Sequence, residues 1–295
     1  MAGTLTQHLN RRQFLTLGLA AAGGVLTLRP REVLAENQQD FTRWAFLSDT
    51  HIHPDPKYRF RGFSAYQNLQ KITDQIGHRL PAGLVITGDI ARSKGDPDAY
   101  ENAKAILAPI ARERPIHVCV GNHDNREDFL LAFTGSAETG TAIKDKYMTT
   151  AMAGPLRMII LDTLLYVNMF PGMLGRLQRV WLETYLRMSD ETPTILFLHH
   201  TPRADLLDMR QLFEIITPIR KVKAIVFGHS HKYQFSESDG IHLINLPAVG
   251  YNFTGSQPVG WVEARMNAQA GEFILHAIGG NMRQHGSVRF LQWRT

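Results

Sequence analysis

Residues Ile116–Asp124 read I-H-V-C-V-G-N-H-D. A mostly apolar run ends on a glycine, and an amide, an imidazole and a carboxylate follow at once. The same pattern recurs along the chain. Trp44–Ser48 (WAFLS) runs into Asp49-x-His51, and Leu84–Thr87 (LVIT) into Gly88-Asp89. Thr194–Leu198 (TILFL) runs into His199-His200, and Ala224–Phe227 (AIVF) into Gly228-His229-x-His231. A sixth run, Met158–Leu161 (MIIL), ends at Asp162. Short runs of apolar and β-branched residues predict strands buried on both faces.

Helical periodicity fills the gaps. Ser64–Leu80 carries Leu69, Ile72, Ile76 and Leu80 on one stripe. Asp96-Pro97 reads as a cap followed by a first-turn proline, opening a helix with Tyr100, Ala103, Leu107 and Ile110 on one face. Leu177–Met188 groups Leu177, Trp181, Tyr185 and Met188, and Arg203–Ile216 is a fourth, less regular helix. After His231 the pattern changes to strand-like runs at Ile241–Leu246, Gly260–Arg265 and Phe273–Ile278, with no clear helix. The reading is α/β first and antiparallel β last. No repeat or long linker interrupts it, so residues 36–295 are expected to form one domain.

Ligands of open α/β sheets gather at the carboxyl ends of strands. Those ends supply carboxylate, imidazole and amide groups and no thiolate. Such a set suits two divalent ions of the Mn, Fe, Zn or Co kind. The glycines before Asp89, Asn122 and His229 are expected to let the backbone turn sharply and let an ion or substrate come close. Taken singly, each motif is a weak signal; five in this order, each closing a strand, are specific.

Composition narrows the classes. The 295 residues are 44% apolar and 20% charged, which excludes a disordered chain and a polytopic membrane protein. One cysteine, Cys119, excludes an internal disulfide framework and a Cys-rich metal site. Residues 1–35 hold four Arg and one Glu, so they supply +3 of the formal +5 and leave +2 for the rest. A near-neutral body without a basic run argues against a nucleic-acid partner.

The N-terminus reads as a targeting segment. Arg11-Arg12 directly precede an apolar stretch, Phe14–Leu28, and Val33-Leu34-Ala35 offers small residues for cleavage. Arg11, Arg12, Phe14 and Leu15 resemble the twin-arginine (Tat) signal, with Asn10 and Thr16 departing from its pattern. The stretch is shorter than the roughly 20 residues of a membrane span. The expectation is a 1–35 leader engaging the Tat export machinery, a periplasmic or secreted product, and no stable membrane insertion after cleavage.

The ordered set D-x-H, G-D, G-N-H-D, H and G-H-x-H resembles the calcineurin-like metallophosphoesterase superfamily, from Asp49 to His231. Leu161-Asp162-Thr163, the Gln-x-x-Trp-Leu run at Gln178–Leu182 and His199-His200-Thr201-Pro202 are similar to its class III cyclic nucleotide phosphodiesterase branch. Arg92, three residues after Asp89, stands where purple acid phosphatases carry tyrosine, and GNHD replaces the GNHE of serine/threonine phosphatases. The resemblance implies a four-layer αββα sandwich of two mixed β-sheets with a dinuclear metal site at the strand ends.

It also implies roles. Asp49, His51 and His231 would hold one ion, and Asn122, His199 and His229 the other. Asp89 would bridge them. His123 would contact a phosphoryl oxygen or protonate the leaving alkoxide, and Asp124 would orient His123 or support the site. His53 and His200, beside ligands but matching none, are candidates for substrate contact or for a supporting wall. Asp162 reads as structural, as do His78, His117, His242, His276 and His285. The implied activity is metal-dependent hydrolysis of a small phosphoester, metal-bound hydroxide attacking phosphorus in line. A phosphodiester of the cyclic nucleotide or glycerophosphodiester type is expected, with an exported phosphomonoesterase as the alternative. Loops 125–150 and 164–175 are expected to shape specificity, and Asn252 and Phe253, in the Pro247–Phe253 turn, are candidates to reach the site. Two rivals explain less. An amidohydrolase barrel would need helix–strand alternation to the C-terminus, and a non-catalytic metal-binding protein would be expected to have lost ligands or His123.

Overall fold

In the computed structural model, which describes residues 41–134, 143 and 146–295, the chain enters sheet 1 at β1 (Thr42–Leu47). The expected leader at 1–35 lies outside the described residues. The first half alternates as the pattern requires: α1 (Ala65–Gly77), β2 (Gly83–Ile86), α2 (Pro97–Ala111), β3 (Ile116–Val118) and α3 (Arg126–Thr134). Sheet 2 is then built from β4 (Thr149–Ala153), β5 (Leu156–Ile160), α4 (Arg176–Met188), β6 (Thr194–Phe197), α5 (Met209–Ile216), β7 (Val222–Phe227), β8 (Gln234–Ser238) and β9 (Ile241–Asn245). The chain returns to sheet 1 through β10 (Pro258–Met266), β11 (Ala270–Gly280) and β12 (Val288–Gln292).

Sheet 1 has the order β12-β11-β10-β1-β2-β3, and sheet 2 the order β4-β5-β6-β7-β9-β8. β1, β2 and β3 run parallel, while β10 joins β1 antiparallel. β5, β6, β7 and β9 run parallel between antiparallel edges β4 and β8. Both sheets are therefore mixed, as expected.

Side-chain alternation assigns the layers, because successive residues of a strand point to opposite faces. Along β1, Trp44 and Phe46 join the core between the sheets, and Ala45 and Leu47 join the core under α1, α2 and α3. On sheet 2, Ile195 and Phe197 face inward, and Leu196 packs with Leu182 and Leu212 of α4 and α5. Phe46 and Phe197 meet edge-to-face across the sheets, ring centres 5.1 Å apart. The result is the αββα sandwich.

Local signals explain where helices begin. The Ser64 hydroxyl accepts the Gln67 N–H and the Asp96 carboxylate the Asp98 N–H, so each caps its helix. Two expectations need correction. α4 buries Gln178, Leu182 and Leu186 rather than the Leu177 stripe, and Leu177 and Met188 are exposed. Gln178 belongs inside because its amide accepts the Asp162 N–H and donates to the Asp162 carbonyl. The stretch 125–150 is not simply loop: Arg126–Thr134 is helical and buries Phe129 and Leu130 in the outer core. Among the described residues no helix is long and apolar enough to cross a membrane.

Candidate metal centre

The parallel strands of both sheets deliver their carboxyl ends to one place. β1 leads into Asp49 and His51, β2 into Asp89, and β3 into Asn122 and His123. β6 leads into His199, and β7 into His229 and His231. Three clusters have donor atoms within 4.8 Å of one another: Asp49–His51–His231, Asp89–His199–His229 and His51–Asp89–His123. All are buried except His123, which is partly open.

The backbone is bent to achieve this. Asp49, His51, Asp89, His229 and His231 adopt positive φ, from 47° to 67°. Non-glycine residues seldom occupy that region, and such strain gathers at functional sites. Gly88, at φ 98°, makes the expected sharp turn, and Gly121 and Gly228 also clear space between strands. A methyl group on Gly121 would stand 2.2 Å from Asp89 Oδ1 and from its backbone nitrogen, and one on Gly228 2.4 Å from Asp49 Oδ2. Each glycine clears room for a ligand carried by a neighbouring strand.

Hydrogen bonds fix the imidazole tautomers. His199 Nδ1 donates to the Thr87 carbonyl at 2.8 Å, and His231 Nδ1 donates to the Tyr251 carbonyl at 2.7 Å. A carbonyl only accepts, so in each neutral ring Nε2 carries the lone pair. His199 Nε2 then lies 3.1 Å from Asn122 Oδ1, 3.2 Å from His229 Nδ1 and 3.3 Å from Asp89 Oδ1. His231 Nε2 lies 3.0 Å from His51 Nε2 and 3.4 Å from Asp49 Oδ1. Asp89 offers Oδ1 to the His199 cluster and Oδ2, at 3.7 Å, to His51.

This convergence of electron-rich atoms fits a pair of cations. Asp49 Oδ1 and His229 Nε2 are buried without a hydrogen-bond partner among the described residues. Burial would raise both carboxyls, but the surrounding imidazoles, His231 at Asp49 and His199 at Asp89, hold them well below the usual range. Burial brings His51 down to about 3 and His229 to about 4, so both rings are neutral. His199 is the exception: burial lowers it, but Asp89 and Asp49 outweigh that and raise it to about 9. The cavity has an excess of negative charge and draws positive charge in. The O/N donor set without sulfur suits divalent cations.

The remaining expected residues fall into place unevenly. Asp124 does not orient His123. Its carboxylate accepts the N–H groups of Ile90, Ala91 and Gly121 and the Tyr100 hydroxyl, pinning the ends of β2 and β3 together. Burial and the Asp89 charge raise it to about 6. The partner of His123 is Asn168, whose Oδ1 lies 2.7 Å from His123 Nδ1, with the Ser93 carbonyl at 3.3 Å. Two acceptors face Nδ1, so it carries the proton and Nε2 is left for other contacts. His200 is wholly buried, with Nδ1 2.8 Å from the Thr163 hydroxyl and its ring against His199 and His229. It is a wall behind the ligands, out of reach of a substrate. His53 stacks on Tyr58 at 4.0 Å and accepts the Asp55 N–H, and it joins none of the clusters. Asp162 is structural, bound by Arg126 and Lys146.

Phe253, a candidate from the sequence, reaches the site, and so do Phe170 and Arg92, which were given no place in it. Phe170 packs on His229 with ring centres 4.7 Å apart, and Phe253 stacks on His231 at 4.3 Å. Arg92 places its guanidinium 4.2 Å from the centre of the Phe60 ring and 5.2 Å from that of Tyr251, beside His51. Phe170 lies in a loop expected to shape specificity and Phe253 in the turn named as a candidate to reach the site, but no periodicity announced their contacts.

Known proteins agree with this geometry. A probable cyclic nucleotide phosphodiesterase of Rhodococcus erythropolis is 29% identical over 79% of this chain and 81% of its own. A probable glycerophosphodiester phosphodiesterase of Arcobacter nitrofigilis is 25% identical over 63% of this chain and 70% of its own. In fold, the chain is similar to a dimetal phosphatase of Danio rerio, with TM-score 0.66 and 16% identity over 86% of this chain and 99% of that one. The family model for calcineurin-like phosphoesterases matches residues 42–233, the span that carries every residue of the three clusters. With the strand-end ligands, the αββα layers and that match in agreement, the chain belongs to the calcineurin-like phosphoesterase family.

Proposed function

We propose that this phosphoester hydrolase acts on phosphodiesters of small molecules, of the cyclic nucleotide or glycerophosphodiester type. The observation that carries the reading is the chain of three overlapping clusters, linked through the shared His51 and Asp89, with the partly open His123 as a member of the middle one. The names of the Rhodococcus and Arcobacter relatives support the diester class.

The proposed roles follow from the contacts. Asp49, His51 and His231 would hold one divalent ion, Asn122, His199 and His229 a second, and Asp89 both. Bound there, the ions would supply Lewis-acid charge that lowers the pKa of water and offsets charge on phosphoryl oxygens. The chain's own part is positional. Thr87 and Tyr251 carbonyls fix the ring orientations of His199 and His231. Asn168 holds the His123 Nδ1 proton, so a protonated His123 presents Nε2–H to the leaving oxygen. We further propose export through the twin-arginine pathway, supported by Arg11-Arg12 and the following apolar stretch. Replacing both arginines by lysine is expected to leave the protein in the cytoplasm.

The test of activity is the turnover ratio of bis(p-nitrophenyl) phosphate to p-nitrophenyl phosphate on the Mn-loaded chain, with His123→Ala beside it. A diester preference is expected, and the variant should lose about 10²–10⁴-fold in rate, the range for general acid–base catalysis. A monoester preference would overturn the diester reading and make the chain a phosphatase on the same centre.

A further inference from the structure

Two large apolar side chains stand exposed beside the aspartate and histidine clusters. Phe170 is 65% exposed and Phe253 49% exposed. Each packs on a different ligand cluster, Phe170 through His229 and Phe253 through His231. Exposed aromatic surface is unfavourable in water and needs a reason when it borders a site.

The segments that present them are tied down. The Asn168 N–H donates to the Asn122 carbonyl at 2.7 Å, and the Gly172 N–H to the Asp205 carbonyl at 2.8 Å. Phe170 therefore sits between two anchors, while Asn168 reaches inward to His123. The Phe253 carbonyl accepts a hydrogen bond from Arg61 at 3.1 Å, and the Arg61 guanidinium lies 5.6 Å from its ring centre. Side chains held in place before a ligand arrives lose little freedom on binding, and a stacking face so prepared gains selectivity.

Building on the phosphoesterase reading above, we propose that Phe170 and Phe253 are specificity-determining residues that stack the planar part of the substrate, so that this enzyme prefers phosphoesters of a nucleoside or another aromatic alcohol over those of glycerol. An aliphatic glycerol ester offers no π-face to either ring. A nucleobase does, whatever its hydrogen-bonding edge, so the preference is for aromatic character and is tolerant of base identity.

The experiment compares 3',5'-cyclic AMP with glycerophosphoethanolamine, and AMP with glycerol 3-phosphate, on the Mn-loaded full chain. Phe170→Ala and Phe253→Ala are each expected to raise KM for the nucleotide about tenfold with little change in kcat, as base–aromatic stacking implies. The glycerol esters should change less than about twofold, and Phe170→Trp should restore the nucleotide KM. Calorimetry supplies a readout apart from turnover: AMP should bind the variants more weakly, while inorganic phosphate and Mn content stay as in wild type. Equal losses on both ester types, or no loss on either, overturn the proposal. Because the pairs include diesters and monoesters, a chain that cleaves only AMP and glycerol 3-phosphate would sink the diester reading and still test the stacking.

Discussion

A left-handed loop residue far from His123 in sequence supports that histidine, the one partly open member of the described clusters. Asn168 has φ 61° and reaches across 45 positions to His123. Asn168→Gly keeps that backbone conformation and removes only the carboxamide. Losing the partner that orients a working side chain costs about 10–100-fold at comparable sites. A fall of that order in kcat, with Mn content unchanged and partial rescue by Asn168→Asp, is the expected kinetic result. Metal content lost with the rate would show that Asn168 supports the ligands instead. Asn168 was illegible in the sequence because nothing in a coil segment predicts where a side chain points. The ligands were legible for the opposite reason: each closes a strand, so strand order alone brings them together. Asp124 shows the limit of adjacency. It sits beside His123 in sequence, yet its carboxylate is consumed by backbone N–H groups of the β2 and β3 ends.

Elements place their ligands only where neighbouring backbones can come close. Gly228 follows β7 with no space for a methyl group beside Ser48 and Asp49. Gly228→Ala is expected to displace Asp49 or β7 and cut bound Mn well below wild type, with far-ultraviolet circular dichroism retained; full Mn occupancy would refute the packing argument. On three interior strands of sheet 1, Arg43, Glu263, Arg265 and Glu272 form a ladder across β1, β10 and β11. Burial would raise the Glu263 carboxyl, but Arg265 and Arg43 outweigh it and hold it below its usual range. A carboxyl lowered by folding stabilises the protein above its unfolded value of about 4.3 and stops doing so as pH falls through the folded value. Urea melts should therefore show wild type more stable than Glu263→Gln at neutral pH, with the gap closing as the pH drops below about 4. Strand positions were readable from apolar runs, whereas the buried face of α4 was not, because a polar Gln178 occupies it to satisfy Asp162.

Over the whole molecule, the chain leaves sheet 1 after β12 and ends against sheet 2. There Arg294 donates to the carbonyls of Ile216, Thr217, Ile219, Val222 and Asp239. Hydrogen bonds from a charged donor are worth about 1.5–3 kcal/mol each, and carbonyls left unpaired on burial add to the loss. Arg294→Met is expected to destabilise the fold by at least about 3 kcal/mol in chemical denaturation while leaving Mn stoichiometry intact. A change below about 0.5 kcal/mol, the range of ordinary surface substitutions, would show that the clasp is dispensable. The order of α/β first and antiparallel β last was legible in the apolar runs, while the four-layer arrangement was implied by the family resemblance. This clasp was not legible, since a lone arginine at a chain end carries no pattern. One feature reaches beyond this molecule. Five of the proposed ligands occupy left-handed backbone positions at which glycine or asparagine would be more comfortable. In a lineage that no longer needs the chemistry, replacing those five residues by glycine or asparagine would relieve backbone strain, so their loss is expected to meet little resistance from the fold. A descendant that still keeps aspartate and histidine at all five is one in which selection has continued to work against the grain of the backbone.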